Sequence, residues 1–503
     1  MLFSSPIFLF AFLPIFFIIY FSLRTQRLRN LWLLIVSLIF YTWGEGKLVM
    51  IMLLTSGIDY VAGLGIERGF RGIFRPRAAR AFITTHRSRS QTVFLVLSVV
   101  SNLALLGFFK YFNFGIDNLN AIFEFFGWQT ITLSGMWQIV LPLGISFYTF
   151  QSMSYTIDVY RGTVKATTSY IDFMAFVTMF PQLVAGPIVR YEVVARELID
   201  RIVTRNGFAY GIRRFVMGLG KKMLIANLVA VPADAIFALP AEALTAPMTW
   251  FGAVCYALQI YFDFSGYSDM AIGMGRMLGF NFLENFNFPY VAKSIRDFWR
   301  RWHISLSTWF RDYLYIPLGG NKRSRGRVYF NLLFVFFVTG LWHGSSWNFI
   351  VWGLFHGVFL LLERTRFGEL LGRVWWPIRQ LYVLFVVLIG WVFFRAETLG
   401  EAWQFIIAMF RFGTAGQTEY HLGLFVTPVI LWAFVAGIIG CTPVIPWLHG
   451  HIRRWWEQSA HVSGRIIQVS WTTAVFIALA GIFLLTVMHM ANDTYNPFIY
   501  FRF

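Results

Sequence analysis

Runs of apolar residues long enough to cross a lipid bilayer recur along almost the whole chain. A helix needs about 20 mainly apolar residues to cross the hydrocarbon core. Such runs lie near residues 5–22, 31–45, 48–66, 91–110, 136–153, 170–189, 212–231, 249–265, 328–345, 347–362, 376–394, 423–440 and 466–488. Several are short or broken, so we expect roughly 11 to 14 membrane segments, some of them re-entrant. The sequence therefore predicts an all-α, polytopic membrane protein.

Composition agrees with this prediction. The 503 residues are 57% hydrophobic, 19% aromatic and only 13% charged, which is typical of a membrane protein and not of a large soluble core. The first apolar run, Pro6 to Leu23, has no basic segment before it and no small-residue cleavage site after it. We therefore expect it to be a retained span and not a cleaved signal.

The net charge of +18 comes from basic residues clustered in short loops. The loop clusters are Arg24, Arg27 and Arg29; Arg68, Arg71, Arg75, Arg77, Arg80, Arg87 and Arg89; and Lys322, Arg323, Arg325 and Arg327, while Arg213, Arg214, Lys221 and Lys222 flank another apolar run. Basic residues in short loops between spans mark the cytoplasmic side, so we predict an N-terminus outside and contact with lipid headgroups. Attraction of an anionic cytoplasmic substrate is the alternative. The distribution argues against nucleic acid as a partner.

Two apolar runs are interrupted by polar residues and by residues that break helices. PLGISFYTFQSMSY, Pro142 to Tyr155, and PQLVAGPIVR, Pro181 to Arg190, contain Pro, Gly, Ser and Gln within membrane-length stretches. Non-helical backbone at membrane depth must be buried in protein or face a watery cavity. These segments therefore predict a lined interior, as an active site or a transport path needs.

The segment from Ser294 to Tyr315 has helical periodicity with two faces. Its aromatic stripe contains Trp299, Trp302, His303, Leu306, Trp309, Phe310 and Tyr313. Its polar stripe contains Asp297, Arg301, Ser305, Thr308 and Asp312, with Asp297 and Arg301 spaced for a salt bridge. The pattern predicts one helix at the cytoplasmic membrane surface, with its rings at headgroup depth. A purely interfacial anchor explains most of it, but His303 lies among the tryptophans.

Two histidines fall inside membrane-length runs. His343 follows Val328 by about 15 residues, which places it about 22 Å from the cytoplasmic edge of a core about 30 Å thick. His356 lies about 7 residues before Glu363, or about 10 Å from the same edge. Ionisable residues at such depths usually face an interior cavity and mark functional sites, although a structural role remains the alternative. A neutral imidazole can accept the proton of a hydroxyl that attacks an acyl carbonyl.

Other catalytic signatures are absent from the sequence. We find no serine nucleophile elbow, no phosphate-binding loop and no zinc-type cluster, so we predict no metal site. Cys255 and Cys441 lie in apolar runs and form no disulfide framework.

Four stretches resemble the membrane-bound O-acyltransferases. They are Tyr261 to Asn321, which contains RRWHISLSTWFRDYLYIPLGG, then TGLWHGSSWNFIVWGLFHG, PQLVAGPIVR and the closing NPFIYFRF. The chain is most similar to the bacterial branch that contains the membrane subunit of alginate O-acetylation, and more distantly to the D-alanyl transfer protein of teichoic acid. The resemblance implies a helical bundle around a central tunnel, with short interfacial and re-entrant helices. We expect one membrane domain, 1–503, with its catalytic core at 90–365 and flanking spans at 1–89 and 366–503.

The resemblance also implies roles for particular residues. The catalytic histidine of the family's WHG motif matches His343, and the histidine of its RWHxSLSxWFRDY motif matches His303. We hypothesise that His343 is the base and that His303 positions the donor or substrate. The remaining substrate-binding candidates are Trp302, Arg311, Asp312, Trp342, His356 and Asp269, of which Trp302, Arg311 and Asp312 also hold the surface helix in place.

For this branch the implied function is acetyl transfer across the bacterial inner membrane. No cofactor is expected to be bound. The implied donor is acetyl-CoA, with an acyl carrier protein as the alternative. The implied acceptor is a periplasmic partner protein that passes the acetyl group to an exopolysaccharide, alginate first, with cellulose, peptidoglycan or teichoic acid as alternatives. A polysaccharide or lipid transporter, or a non-catalytic scaffold for export, would also explain a lined cavity with buried histidines.

Overall fold

A computed structural model of the protein describes residues 2–69, 88–132, 139–412, 420–459 and 461–492. Every regular element within these ranges is helical, which confirms the predicted all-α class. Most of the predicted arginine-rich loop, Arg71, Arg75, Arg77, Arg80 and Arg87, lies outside the described residues, as does the closing NPFIYFRF.

Residue contacts divide the chain into two compact units, Met1–Gly211 with Met274–Leu283, and Ile212–Gly273 with Glu284–Phe503. The first nine α-helices along the chain are α1 (Leu13–Ser22), α2 (Gln26–Glu45), α3 (Val49–Arg68), α4 (Arg89–Phe125), α5 (Ile145–Arg161), α6 (Tyr170–Thr178), α7 (Phe180–Leu183), α8 (Tyr191–Ile199) and α9 (Arg205–Gly220). A π-helical turn, Phe8–Phe12, leads into α1.

The helices that follow carry or directly flank all of the predicted site residues. They are α10 (Asn227–Phe237), α11 (Ala246–Leu278), α12 (Ile295–Arg301), α13 (Ile304–Phe310), α14 (Arg325–His343), α15 (Trp347–Leu362), α16 (Arg366–Arg373), α17 (Trp376–Arg395), α18 (Leu399–Met409), α19 (Pro428–Gly440), α20 (Val444–Gln458) and α21 (His461–Asn492). Every predicted apolar run overlaps at least one helix of the described chain.

Five helical stretches within the described ranges are long and apolar enough to cross a membrane. They are Gln26–Arg68, Arg89–Phe125, Arg205–Phe237, Trp376–Arg395 and Ser463–Asn492. Helices α19 and α20 add a sixth if this pair, bent by 61°, is one broken span. The predicted 11 to 14 segments include shorter helices such as α15, which is apolar but has only 16 residues. The protein is therefore multi-pass, and the larger number of segments stays a prediction.

The interrupted apolar runs of the first unit are buried in protein, as predicted. Gly144 begins α5 with a φ of 74°, and a Cβ there would lie 2.6 Å from the carbonyl oxygen of Leu183. Only glycine fits this close approach without strain. The non-helical stretch 184–189 is buried throughout. The cavity that we expect these segments to line stays a prediction.

In the second unit, α14 and α15 form a tightly packed helical hairpin. A Cβ on Gly340 would overlap the carbonyl oxygen of Phe349, and one on Gly353 would overlap that of Phe336. The two glycines therefore let the helix backbones meet directly. This hairpin places His343 at the last residue of α14 and His356 in the middle of α15.

We expect Gly353→Ala to lower the apparent melting temperature of the detergent-solubilised protein by several degrees. The added methyl group must push against backbone and not against a flexible side chain, and overpacking of this kind costs about 1–3 kcal/mol. The matched control is Gly450→Ala in α20, where an added Cβ meets nothing within 4 Å. Equal melting temperatures for the two variants, scanned at one rate, would contradict the close packing of α14 on α15.

Candidate active site

The predicted single helix from Ser294 to Tyr315 was wrong, because the chain breaks at Trp302 and His303. α12 ends at Arg301, and α13 begins at Ile304. His303 between them has φ 44° and ψ 56°, a left-handed conformation that is uncommon for a residue with a side chain. The break is stabilised from outside the segment, since the amide of Ile304 donates to the carbonyl oxygen of Asn285 at 2.9 Å. Helical periodicity alone does not reveal such a partner.

The two stripes of this segment are partly as predicted. Asp297 and Arg301 form the expected salt bridge at 2.9 Å. Six residues of the aromatic stripe are buried in protein and Tyr313 is half-buried, which corrects the expectation that this face lies open at the membrane surface. The depth of the rings stays a prediction. Trp302, for example, packs against Trp391 with ring centroids 4.8 Å apart. An apolar stripe shows that a face is buried, but it does not distinguish lipid from protein as the covering material.

Asn285 is a site residue that the sequence analysis missed. It is fully buried and donates its amide group to the hydroxyl of Ser268 at 3.1 Å. Its side-chain oxygen accepts the backbone amide of Ser305 at 3.2 Å and the hydroxyl of Ser305 at 2.9 Å. Asn285 thereby ties the turn at His303 to α11. It lies in a loop between helices, where no periodicity marks it.

The structure brings three of the predicted site residues together. The rings of His303 and Trp342 have centroids 6.0 Å apart, and those of Trp342 and His343 are 4.9 Å apart, both edge to face. The His303 ring also meets the edge of Phe264 at 4.7 Å. Trp342 therefore contacts both predicted catalytic histidines, which come from separate helical segments.

The third histidine joins the same set of rings. His343 contacts Trp352 at 4.9 Å and Phe394 at 5.2 Å. Trp352 also contacts His356, at 5.3 Å. His356 is fully buried, and neither of its ring nitrogens has a hydrogen-bond partner within the described part of the chain. A continuous series of ring contacts thus runs from His303 through His343 to His356.

The charged candidates occupy ion pairs. Arg311 and Asp312 pair with each other at 2.7 Å directly after α13, with the guanidinium more than half exposed. Asp269, on α11, accepts from Arg214 and Lys221, each at 2.7 Å. Its negative charge is therefore balanced by two cations of the chain. Their assignment to substrate binding stays a prediction.

His303 is electrically neutral in this setting. It lies between α12 and α13, outside the helices that can span a membrane, and it is 1% exposed. Burial lowers the pKa of its imidazole to about 3, while a hydrogen bond with its own backbone opposes this shift. Loss of water disfavours the charged ring. The imidazole can therefore offer a lone pair at any pH in the physiological range.

Comparison with known proteins supports the resemblance. The model of the MBOAT family, the membrane-bound O-acyltransferases, matches residues 163–368, a range that contains all three histidines. A Pseudomonas aeruginosa protein named "Probable alginate O-acetylase AlgI" is 41% identical over the full length of both chains. A protein of the same name from Azotobacter vinelandii is 40% identical, again over both full lengths. The peptidoglycan O-acetyltransferase of Helicobacter pylori is 35% identical over 84% of this chain and 82% of its own.

The family match and these full-length relatives define an acyltransferase of the membrane-embedded class. The chain belongs to the membrane-bound O-acyltransferase family. This membership favours an enzyme over the transporter and the scaffold that the sequence left open.

The backbone at His303 allows a test by substitution. Asparagine tolerates the left-handed conformation and valine does not, because a β-branched side chain clashes there. We expect His303→Asn to give a folded yield near that of the wild type, and His303→Val to give a clearly lower yield, as measured by size-exclusion chromatography in detergent. Equal yields from both variants would show that residue 303 is not held at positive φ.

The lowered pKa of His303 predicts a stability that depends on pH. Between pH 6.5 and about 3 the unfolded chain binds a proton at this residue that the folded chain does not, so stability falls as the pH falls through that window. The loss at pH 5 is about 2 kcal/mol. We therefore expect the apparent melting temperature to drop more between pH 7 and pH 5 in the wild type than in His303→Asn. An equal drop in both proteins would contradict a buried neutral imidazole.

Proposed function

We propose that this protein moves acetyl groups from a cytoplasmic donor across the inner membrane for O-acetylation of an exopolysaccharide, with alginate as the polymer. The names of two full-length relatives at 41% and 40% identity favour alginate. The peptidoglycan enzyme of Helicobacter pylori is less similar, at 35% identity over 84% of the chain. Peptidoglycan is accordingly the second candidate acceptor.

One observation carries this proposal: the ring of Trp342 contacts the rings of both His303 and His343, with centroids 6.0 and 4.9 Å apart. The pair of imidazoles sits in a buried aromatic surrounding, with Phe264 against one ring and Phe394 against the other. Acyl transfer to a hydroxyl needs a base for the hydroxyl proton and a group that orients the reactants. Two histidines held by rigid rings meet both needs.

The proposed reaction begins with His343 as the base. Its neutral imidazole accepts the proton of the acceptor hydroxyl while the hydroxyl oxygen attacks the thioester carbonyl of the donor. A tetrahedral intermediate forms, its carbon–sulfur bond breaks, and the imidazolium returns the proton to the departing sulfur. The acetyl group is then an ester on the acceptor and the donor is a free thiol. His303 orients the donor or the acceptor during the attack.

The donor in this proposal is acetyl-CoA, and the acceptor is reached from outside. The loop residues Lys322, Arg323, Arg325 and Arg327 are exposed, as a cytoplasmic basic loop requires. Lys322 and Arg323 precede α14 and Arg325 and Arg327 lie in its first turn, so His343 lies at the opposite end of that helix. The N-terminus lies outside in the same scheme. Periplasmic acetyl-transfer proteins accept the group and pass it to the polymer.

We expect His343→Ala to reduce acetylation of the polymer by at least about a hundredfold, since general-base catalysis contributes about 10²–10⁴. The measurements are ester content of the exported polysaccharide in a strain lacking the native gene, and thiol release from acetyl-CoA by purified protein. The matched control is His421→Ala, an exposed histidine outside the site. Normal acetylation by inserted His343→Ala would remove this residue from the mechanism. Acetylated peptidoglycan with unmodified alginate would favour the second candidate.

A further inference from the structure

The orientation of the Asn285 amide is fixed by a donor that cannot change roles. The backbone amide of Ser305 lies 3.2 Å from one side-chain atom of Asn285. A backbone N–H only donates, so the atom that faces it must be the amide oxygen. The amide nitrogen then faces the hydroxyl of Ser268 at 3.1 Å and donates to it. The positions of oxygen and nitrogen in this buried side chain are thus determined by the network.

This orientation determines the direction of the next hydrogen bond. The hydroxyl of Ser305 lies 2.9 Å from the same Asn285 oxygen. An amide oxygen only accepts, so the single hydroxyl proton of Ser305 points to Asn285. The hydroxyl oxygen keeps its lone pairs for another neighbour. That neighbour is Nδ1 of His303, at 3.4 Å.

The direction of these hydrogen bonds determines which nitrogen of the His303 imidazole carries the proton. Because the Ser305 hydroxyl has already given its proton to Asn285, it can only accept from Nδ1 of His303. A neutral imidazole carries one proton, and the hydrogen bond at one nitrogen decides which nitrogen holds it. We infer that Asn285 and Ser305 are positioning residues that hold His303 in the tautomer with the proton on Nδ1, so that Nε2 carries the lone pair.

This inference deepens the proposed function and rests on it for its catalytic meaning. His303 with its proton on Nδ1 presents Nε2 as a hydrogen-bond acceptor. Such an acceptor binds a substrate group that donates, such as a hydroxyl, and no proton needs to move in that contact. The opposite tautomer would present an N–H and would repel the same donor. Asn285 and Ser305 therefore select the chemical class of the group that His303 can orient.

Nuclear magnetic resonance tests the tautomer directly and without an activity assay. The probe is protein labelled with ¹³C,¹⁵N-histidine in lipid bilayers, and His303→Gln identifies the His303 signals by difference. Because Nδ1 is bonded to Cγ and Nε2 to Cδ2, correlation spectra show which nitrogen carries hydrogen. We expect protonated Nδ1 in the wild type and in Ser305→Thr, and a mixture or the reverse in Ser305→Ala. Ser307→Ala, in the same helix, is the matched control and should leave the spectrum unchanged.

Acetyl transfer by the same variants tests the catalytic meaning. We expect Ser305→Ala to lower kcat about tenfold to a hundredfold, as the loss of a residue that orients a functional histidine does, and Ser305→Thr to retain most of it. A wild-type ring protonated on Nε2, or an unchanged spectrum in Ser305→Ala, would overturn the inference. Wild-type protein that transfers no acetyl group, with the expected spectra, would overturn the proposed function and leave the tautomer assignment standing.

Discussion

The site depends on the hydrogen bonds by which Asn285 interrupts a helix at His303. A left-handed residue with a side chain costs about 1–2 kcal/mol, and the backbone at this point would otherwise continue α12. Hydrogen bonds that Ile304 and Ser305 donate to Asn285 offset that cost, because each buried hydrogen bond contributes about 1 kcal/mol. The strained turn therefore costs some stability, and it determines the orientation of the His303 imidazole. Backbone conformations of this kind persist where the surrounding structure over-determines them.

Tryptophan rings hold the three histidines in place. Trp342 and Trp352 lie between the three histidines, and every contact in the series is edge to face or close to it. Aromatic pairs in this geometry are each worth about 0.5–1.5 kcal/mol beyond the burial of their area. The rings are rigid, so they hold the imidazoles without hydrogen-bonding to them in competition with a substrate. An aromatic wall also keeps water out, which favours the neutral form of His303.

Several charged side chains in the same unit form ion pairs, whereas the histidines contact aromatic rings. Lys222 and Asp263 form a fully buried pair at 2.7 Å, and Arg395 pairs with Asp234 at 2.6 Å. A buried charge is costly unless an opposite charge lies beside it, and these pairs meet that condition. Asp269, balanced by Arg214 and Lys221, belongs to this group by its contacts. The division separates charged side chains, which join helices, from the histidines, which lie among aromatic rings.

The sequence by itself determined the helical membrane class, the family, and the histidines at positions 303, 343 and 356 as candidates. Apolar run length and motif spacing are properties of neighbouring residues along the chain, so they can be read without coordinates. Only the tertiary structure decided that the Ser294–Tyr315 helix breaks, that its tryptophans are covered by protein, and that Asn285 belongs to the site. Each of these depends on a partner distant in sequence, such as Ser268 for Asn285 or Trp391 for Trp302. Periodicity reports which face of an element is buried, and the fold alone selects what covers it.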